Sequence, residues 1–89
     1  MRVIFLILLL AASACSTVSS SLQYTEGTEA LERGDYQQAA TLLEEAVRLD
    51  PGLSRNHNNL AAALFELGRL EDGWPHVRQA VLLDPSNQY

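Results

Sequence analysis

Apolar residues recur at helical spacing through most of the chain. Between Ala39 and Val47 they lie mainly three or four residues apart, which places them on one face of a helix. A second stripe runs from Leu60 to Leu67, with leucines at i, i+4 and i+7. Residues 3–12 differ, because they form a continuous apolar run with no polar position. The pattern therefore predicts an all-α region that follows a separate apolar leader.

Polar residues and glycines mark where these helices begin and end. Asp35 precedes one helix and Gln38 follows three residues later, a capping-box pattern in which the Asp side chain accepts from free backbone amides. Gly34 and Gly68 are free to adopt the left-handed conformation that ends a helix. Pro51 ends another helix, because proline disfavours helical geometry in the residue before it. These signals predict short turns between paired helices.

The last predicted helix runs from about Leu70 to Leu83 and contains a proline. Pro75 inside a helix costs about 3 kcal/mol or more. We therefore expect a late helix start or a kink near Gly73–Pro75. Trp74 and Phe65 can belong either to the core or to an interface, and we favour core packing for them.

The chain repeats itself with a period of 34 residues. Shifted by this distance, the helix-ending positions and several apolar positions coincide. Identical pairs include Glu32 and Glu66, Gly34 and Gly68, Ala46 and Ala80, Val47 and Val81, and Leu49-Asp50-Pro51 and Leu83-Asp84-Pro85.

The period and the small residues resemble the tetratricopeptide repeat, a helix-turn-helix hairpin. The positions at which that family has small residues are Gly27, Ala39, Ala46, Ala61, Gly73 and Ala80. The resemblance implies an α-solenoid of two hairpins, the first at residues 22–53 and the second at 54–87, with a C-terminal end at 88–89. Stacked hairpins bury a continuous core that one hairpin cannot bury alone.

The resemblance also implies a binding groove, because the first helix of each repeat lines a concave surface that binds peptides or partner helices. By register, the groove residues are Tyr24, Thr25, Thr28, Arg55, Asn58, Asn59, Ala62 and Glu66. Arg55 can pair with a carboxylate. The alternative is a structural role, in which Asn59 bonds neighbouring backbone groups and Tyr24 packs between helices. The family's carboxylate-clamp variant needs several basic residues here, and only Arg55 is present.

The start of the chain has the features of an export signal. Residues 1–14 combine a basic second residue, an apolar run and small residues at the end, as secretory signals do. The stretch Leu10–Cys15 resembles a bacterial lipobox, which implies cleavage before Cys15 and acylation of its thiol. Acyl chains contribute roughly 0.8 kcal/mol per buried CH₂. Residues 15–21 are then the lipidated cysteine and a flexible, serine-rich spacer.

Two alternatives to lipidation stay open. An ordinary signal peptidase can cut after Ala12 or Ala14 and leave a free thiol, or the leader can stay uncleaved as a tether. In lipoproteins that stay in the inner membrane, an aspartate commonly follows the lipidated cysteine. Ser16 occupies that position here, so the outer membrane is favoured.

The remaining residues carry no recognisable catalytic or metal-binding pattern. His57 and His76 lack the spacing of a metal site, and each is expected on a helix surface or partly packed. The adjacent carboxylates at Glu44-Glu45 and Glu71-Asp72 point about 100° apart on a helix, so they do not form a catalytic pair. The net charge of −5 argues against nucleic acid as a partner. We expect no enzymatic activity, no metal and no cofactor other than a lipid on Cys15.

These observations lead to one main hypothesis and one alternative. The main one is a lipid-anchored adaptor or scaffold in the bacterial cell envelope, which binds a protein or peptide during pilus, secretion or envelope assembly. The alternative is a structural, self-associating protein. It rests on the expectation that the chain ends at Tyr89, where a third repeat would begin, and leaves the outer face of Leu70–Leu83 uncovered.

Overall fold

The computed structural model describes residues 19–86, which form four helices and no strand. Helix α1 is described over residues 19–32, α2 spans Tyr36–Leu49, α3 spans Ser54–Glu66 and α4 spans Leu70–Leu83. Helix α3 packs against both α2 and α4. The predicted all-α fold of two helical hairpins is confirmed. The predicted signal segment and Cys15 lie outside the described residues.

The predicted helix boundaries are confirmed where local chemistry sets them. The side chain of Asp35 accepts a hydrogen bond of 3.4 Å from the amide of Gln38, which caps α2. Gly34 and Gly68 have φ angles of +80° and +76°, in the left-handed region that favours glycine. Each hairpin therefore turns at a glycine between its two helices.

Helix α1 extends further towards the N-terminus than the sequence indicated. Residues 19–21, assigned above to the flexible spacer, are helical. Ser20 is 1% exposed, and its Oγ donates to the carbonyl oxygen of Ala46 in α2 at 3.2 Å. The spacer prediction is wrong at its C-terminal end, because this serine packs between two helices instead of facing solvent.

Helix α4 begins at Leu70 and includes Pro75. The predicted late start is therefore wrong. Proline removes one hydrogen bond to the residue four positions earlier. Here that loss falls in the second turn, and the rest of α4 packs along α3. The packing keeps the first turn helical, as shown by the 3.1 Å bond from the Gly73 amide to the Arg69 carbonyl.

Small residues allow the helices to approach closely. A Cβ on Gly27 would lie 2.7 Å from Leu43 Cγ, and one on Gly73 would lie 2.7 Å from Phe65 Cδ1. Alanines occupy the remaining small positions of the repeat, and all are fully buried. The central core consists of Ala30, Ala39, Ala40, Leu43, Leu60, Ala63 and Leu64.

Candidate protein-binding surfaces

The residues assigned to the groove lie on α1 and α3, which a polar cluster joins. Asn59 Nδ2 donates to Tyr24 Oη at 3.3 Å and to Thr28 Oγ1 at 3.2 Å. The guanidinium carbon of Arg55 lies 4.5 Å from the centroid of the Tyr24 ring, a cation–π contact. The structure thus brings four of the residues assigned to the groove together. Asn59 bonds side chains of α1, not the backbone groups considered above.

The other four assigned residues lie outside this cluster. Thr25 is exposed, and its Oγ1 donates to the Ser21 carbonyl one turn earlier in α1. Ala62 is half-buried and Glu66 is exposed. Asn58 is half-buried, but its Oδ1 is inaccessible and accepts no hydrogen bond within the described residues. Asn58 therefore has unused hydrogen-bonding capacity.

The polar cluster also leaves donors unused. Tyr24 Oη and Thr28 Oγ1 both accept from Asn59, and neither hydroxyl donates to an acceptor within residues 19–86. A hydroxyl donates one hydrogen bond and accepts up to two. Both hydroxyl hydrogens are therefore available to a ligand, while Asn59 fixes the oxygen atoms that carry them.

A histidine pair joins α3 to α4, which the sequence analysis missed. His57 Nε2 lies 2.8 Å from the Pro51 carbonyl oxygen, so this nitrogen carries the hydrogen and donates. His57 Nδ1 then accepts from His76 Nδ1 at 3.1 Å, and the rings stack with centroids 5.4 Å apart. The available signal was that His57 and His76 lie on the two helices that flank the turn at Gly68, 68 − 57 = 11 residues before it and 76 − 68 = 8 residues after it.

The pKa of His76 is lowered from its ordinary value. Burial is the main cause, and the neighbouring His57 adds to it, while Glu44 and Asp72 oppose the shift. Among residues 19–86, no three His, Cys, Asp or Glu side chains are grouped so that they could hold a metal ion. The histidine pair joins the two helices of the second hairpin.

The outer side of α4 forms a second open surface, the α4 face, lined by Trp74, Val77, Arg78, Val81 and Leu82. Trp74 is 56% exposed and Leu82 is 76% exposed. The core packing expected for Trp74 is wrong, because Phe65 already fills the space between α3 and α4. The Phe65 ring lies over Gly73, and its centroid lies 5.1 Å from that of the Trp74 ring.

No helix within residues 19–86 combines the length and the apolar character that crossing a bilayer requires.

The fold and these surfaces define a class: an α-helical repeat of two hairpins, with a polar cluster between α1 and α3 and an exposed apolar face on α4. Residues 24–87 match the tetratricopeptide repeat family, so the chain belongs to that family. Such repeats are typically non-catalytic modules that bind other proteins on extended concave surfaces.

Two curated relatives come from Arabidopsis thaliana. The "Inactive TPR repeat-containing thioredoxin TTL3" is 35% identical over 60 residues, which is 67% of this chain and 9% of the relative. The "TPR repeat-containing thioredoxin TTL4" is 34% identical over 77 residues, 85% of this chain and 11% of the relative. This chain thus spans about a tenth of their length.

Proposed function

We propose that the chain is a lipid-anchored adaptor of the bacterial cell envelope, whose groove binds an extended segment of another protein. The observation that carries the proposal is the polar cluster around Asn59. It holds two hydroxyl groups of α1 in place, and their hydrogens have no acceptor among residues 19–86. A peptide backbone offers carbonyl oxygens at regular spacing, which match such donors.

The groove offers two kinds of contact to a peptide. Tyr24 and Thr28 donate to backbone carbonyls. Arg55, held over the Tyr24 ring, faces an acidic side chain of the partner. Because the cluster is ordered before binding, less conformational entropy is lost when the peptide docks.

The anchor places this groove close to a membrane. Three residues, 16–18, lie between Cys15 and residue 19, where the described part of α1 begins. The four residue-to-residue steps from Cys15 to residue 19 span at most about 14 Å when fully extended. A lipid on Cys15 would therefore hold the repeats against the membrane surface, and the partner would have to present its segment there, during pilus, secretion or envelope assembly.

A photocrosslinking amino acid in place of Thr25 tests the groove. Thr25 is exposed on α1 beside Tyr24, whereas Thr41 is exposed on α2 and serves as the matched control. In cells that make the chain natively, we expect a discrete protein adduct from position 25 and none from position 41. Arg55→Ala should reduce the adduct several-fold. Equal adducts at both positions, or only the uncrosslinked monomer, would contradict a specific groove.

Acyl labelling tests the anchor separately. Cells fed a labelled fatty acid should label the wild-type chain, and Cys15→Ser should abolish the label. Ser16→Ala, a neutral change beside the cysteine, should leave it intact. Equal labelling of the wild type and Cys15→Ser would refute lipidation at that residue.

A further inference from the structure

The second hairpin contains two histidines that the repeat itself does not require. His57 and His76 are the two histidines of the chain, and they contact each other across α3 and α4. One period earlier, Gln23 and Leu42 occupy the same positions of the first unit. Both units nevertheless form hairpins that turn at a glycine. The packing of a hairpin therefore does not explain why two imidazoles meet here.

The same nitrogen atom of each ring faces the other ring. His57 Nδ1 and His76 Nδ1 lie 3.1 Å apart. Two imidazole nitrogens bound to one metal ion at about 2.0–2.1 Å lie roughly 3.3–3.4 Å apart at a tetrahedral angle and roughly 2.8–3.0 Å apart at a right angle. The distance in this chain falls between these two ranges. The pair therefore already has the spacing of a ligand that holds one ion with two nitrogens.

His57 is held in the tautomer that such a site needs. Its Nε2 lies 2.8 Å from the Pro51 carbonyl oxygen and donates to it, so the lone pair is on Nδ1. The ring is 5% exposed, so the surrounding residues restrict its orientation. Histidines that bind metals usually donate their other ring N–H to a backbone carbonyl or a carboxylate. Such a bond orients the ring and makes the free nitrogen a better ligand.

His76 supplies the second nitrogen after a change of tautomer. In the hydrogen-bonded pair, its Nδ1 carries a hydrogen and donates to His57. Its Nε2 has no hydrogen-bond partner within residues 19–86 and can carry that hydrogen instead. Exchange through water moves the proton from Nδ1 to Nε2, so both rings stay neutral and both Nδ1 lone pairs face the ion. Because the His76 ring is half-buried, water can reach the ion.

Two carboxylates favour a positive ion beside His76. Glu44 of α2 and Asp72 of α4 both act on this ring as negative charges. Asp72 also pairs with Arg69 at 3.0 Å, whereas Glu44 forms no ion pair within residues 19–86. In this part of the chain, neither carboxylate completes a set of three metal ligands with the histidines. The carboxylates therefore attract the ion from a distance, and water molecules occupy its remaining coordination positions.

We propose that His57 and His76 bind a divalent transition-metal ion and that this ion joins α3 to α4. Imidazole nitrogens suit copper, nickel and zinc, whereas calcium and magnesium prefer oxygen ligands. With the same ligands, copper(II) binds more tightly than zinc. The separation of 19 residues did not predict such a site, because only the fold brings the two rings together. An ion that binds only the folded hairpin stabilises the second repeat unit. The site shares no residue with the groove and does not depend on the anchor.

The imidazole nitrogen resonances test the site directly, because the chain has two histidines only. The full chain, made without a histidine tag and freed of metal with a chelator, is titrated with zinc chloride in lipid nanodiscs at pH 7.5. Zinc should shift the Nδ1 resonances of both rings together, with saturation at one ion per chain, and should raise the unfolding midpoint. Copper(II) should displace the bound zinc, as reported by a zinc indicator. Magnesium chloride should change neither resonance.

The first repeat unit suggests the matched variants. His57→Gln and His76→Leu place the residues of the first unit at these positions, so both variants should fold. In each variant, zinc should no longer shift the remaining histidine or raise the unfolding midpoint. Glu44→Gln should weaken zinc binding several-fold, because it removes a negative charge near His76. Glu29→Gln, the same change of charge on α1, should bind zinc normally.

The absence of a shift up to millimolar zinc would overturn the proposal, as would a shift confined to one ring. An equal rise of the unfolding midpoint in His76→Leu and the wild type would place the ion elsewhere and overturn it. Zinc binding that Cys15→Ser abolishes, with both histidine resonances unmoved, would assign the ion to the thiol and overturn the proposal too.

Discussion

Helices α2 and α4 have the same place in the repeat and opposite surroundings. Helix α2 packs against both α1 and α3. Four of its residues are buried: Ala39, Ala40, Leu43 and Ala46. On α4, the residues buried are those facing α3 or lying at its edge, Gly73, Val77 and Ala80. The position of a residue in the repeat determines which side of the helix it occupies. Whether that side is buried in the core or exposed as a surface depends on whether another helix packs against it.

The largest expected effect is a difference in stability between substitutions on the buried side of α2 and on the exposed α4 face. Leu43→Ala should lower the free energy of unfolding by about 2–5 kcal/mol, because it leaves a cavity in the core. Leu82→Ala should change it by less than about 0.5 kcal/mol, since Leu82 is 76% exposed. Urea denaturation of both variants measures the difference. A loss in Leu82→Ala as large as in Leu43→Ala would show that the α4 face is covered.

A smaller effect is expected at the groove, where the helices of different repeat units meet. Asn59→Ala removes two side-chain hydrogen bonds between α1 and α3 and should cost about 0.5–1.5 kcal/mol. Thr25→Ala, which removes one exposed bond within α1, should cost almost nothing. Equal unfolding midpoints for the two variants would contradict the role given to Asn59 as the link between the units.

The smallest effect is a pH dependence confined to the second hairpin. The pKa of His76 is lowered by burial and by His57, so the folded chain binds this proton less readily than the unfolded chain. Stability is therefore complete above the unfolded pKa of about 6.5 and declines as the pH falls from there towards the lowered pKa. The first hairpin has Gln23 and Leu42 at the equivalent positions and lacks this response.

Thermal unfolding between pH 7.5 and 5.5 measures this decline. The wild type should lose stability on acidification, and His76→Gln should respond less. Carboxylates titrate mostly below this range, so they contribute little to the difference. Parallel profiles for the wild type and the variant would contradict the assignment to His76.

The sequence predicted those features that depend on local chemistry or on the period. The cap at Asp35, the left-handed glycines and the small residues at helix contacts all follow from residue type and spacing. The period of 34 residues also placed the two hairpins and brought Asn59 to the groove. These features depend on short segments or on their regular repetition, so they can be predicted from the sequence.

Features that depend on contacts between distant segments were missed. Ser20 resembles a spacer residue until Ala46, 26 positions later, is placed against it. The link between His57 and His76 appears only when α3 and α4 are paired. Trp74 resembles a core residue by type, but its exposure depends on a helix that residues 19–86 do not provide. The anchor at Cys15 stays a prediction.

The central claim is that the apolar face of α4 is open to solvent in the folded chain, and Trp74 tests it most directly. Acrylamide quenching and the emission maximum of the single tryptophan can be measured in the dilute full chain. We expect emission typical of a solvent-exposed indole and strong quenching, in keeping with the 56% exposure of Trp74. Blue-shifted emission that resists quenching and does not change on dilution would contradict an open α4 face.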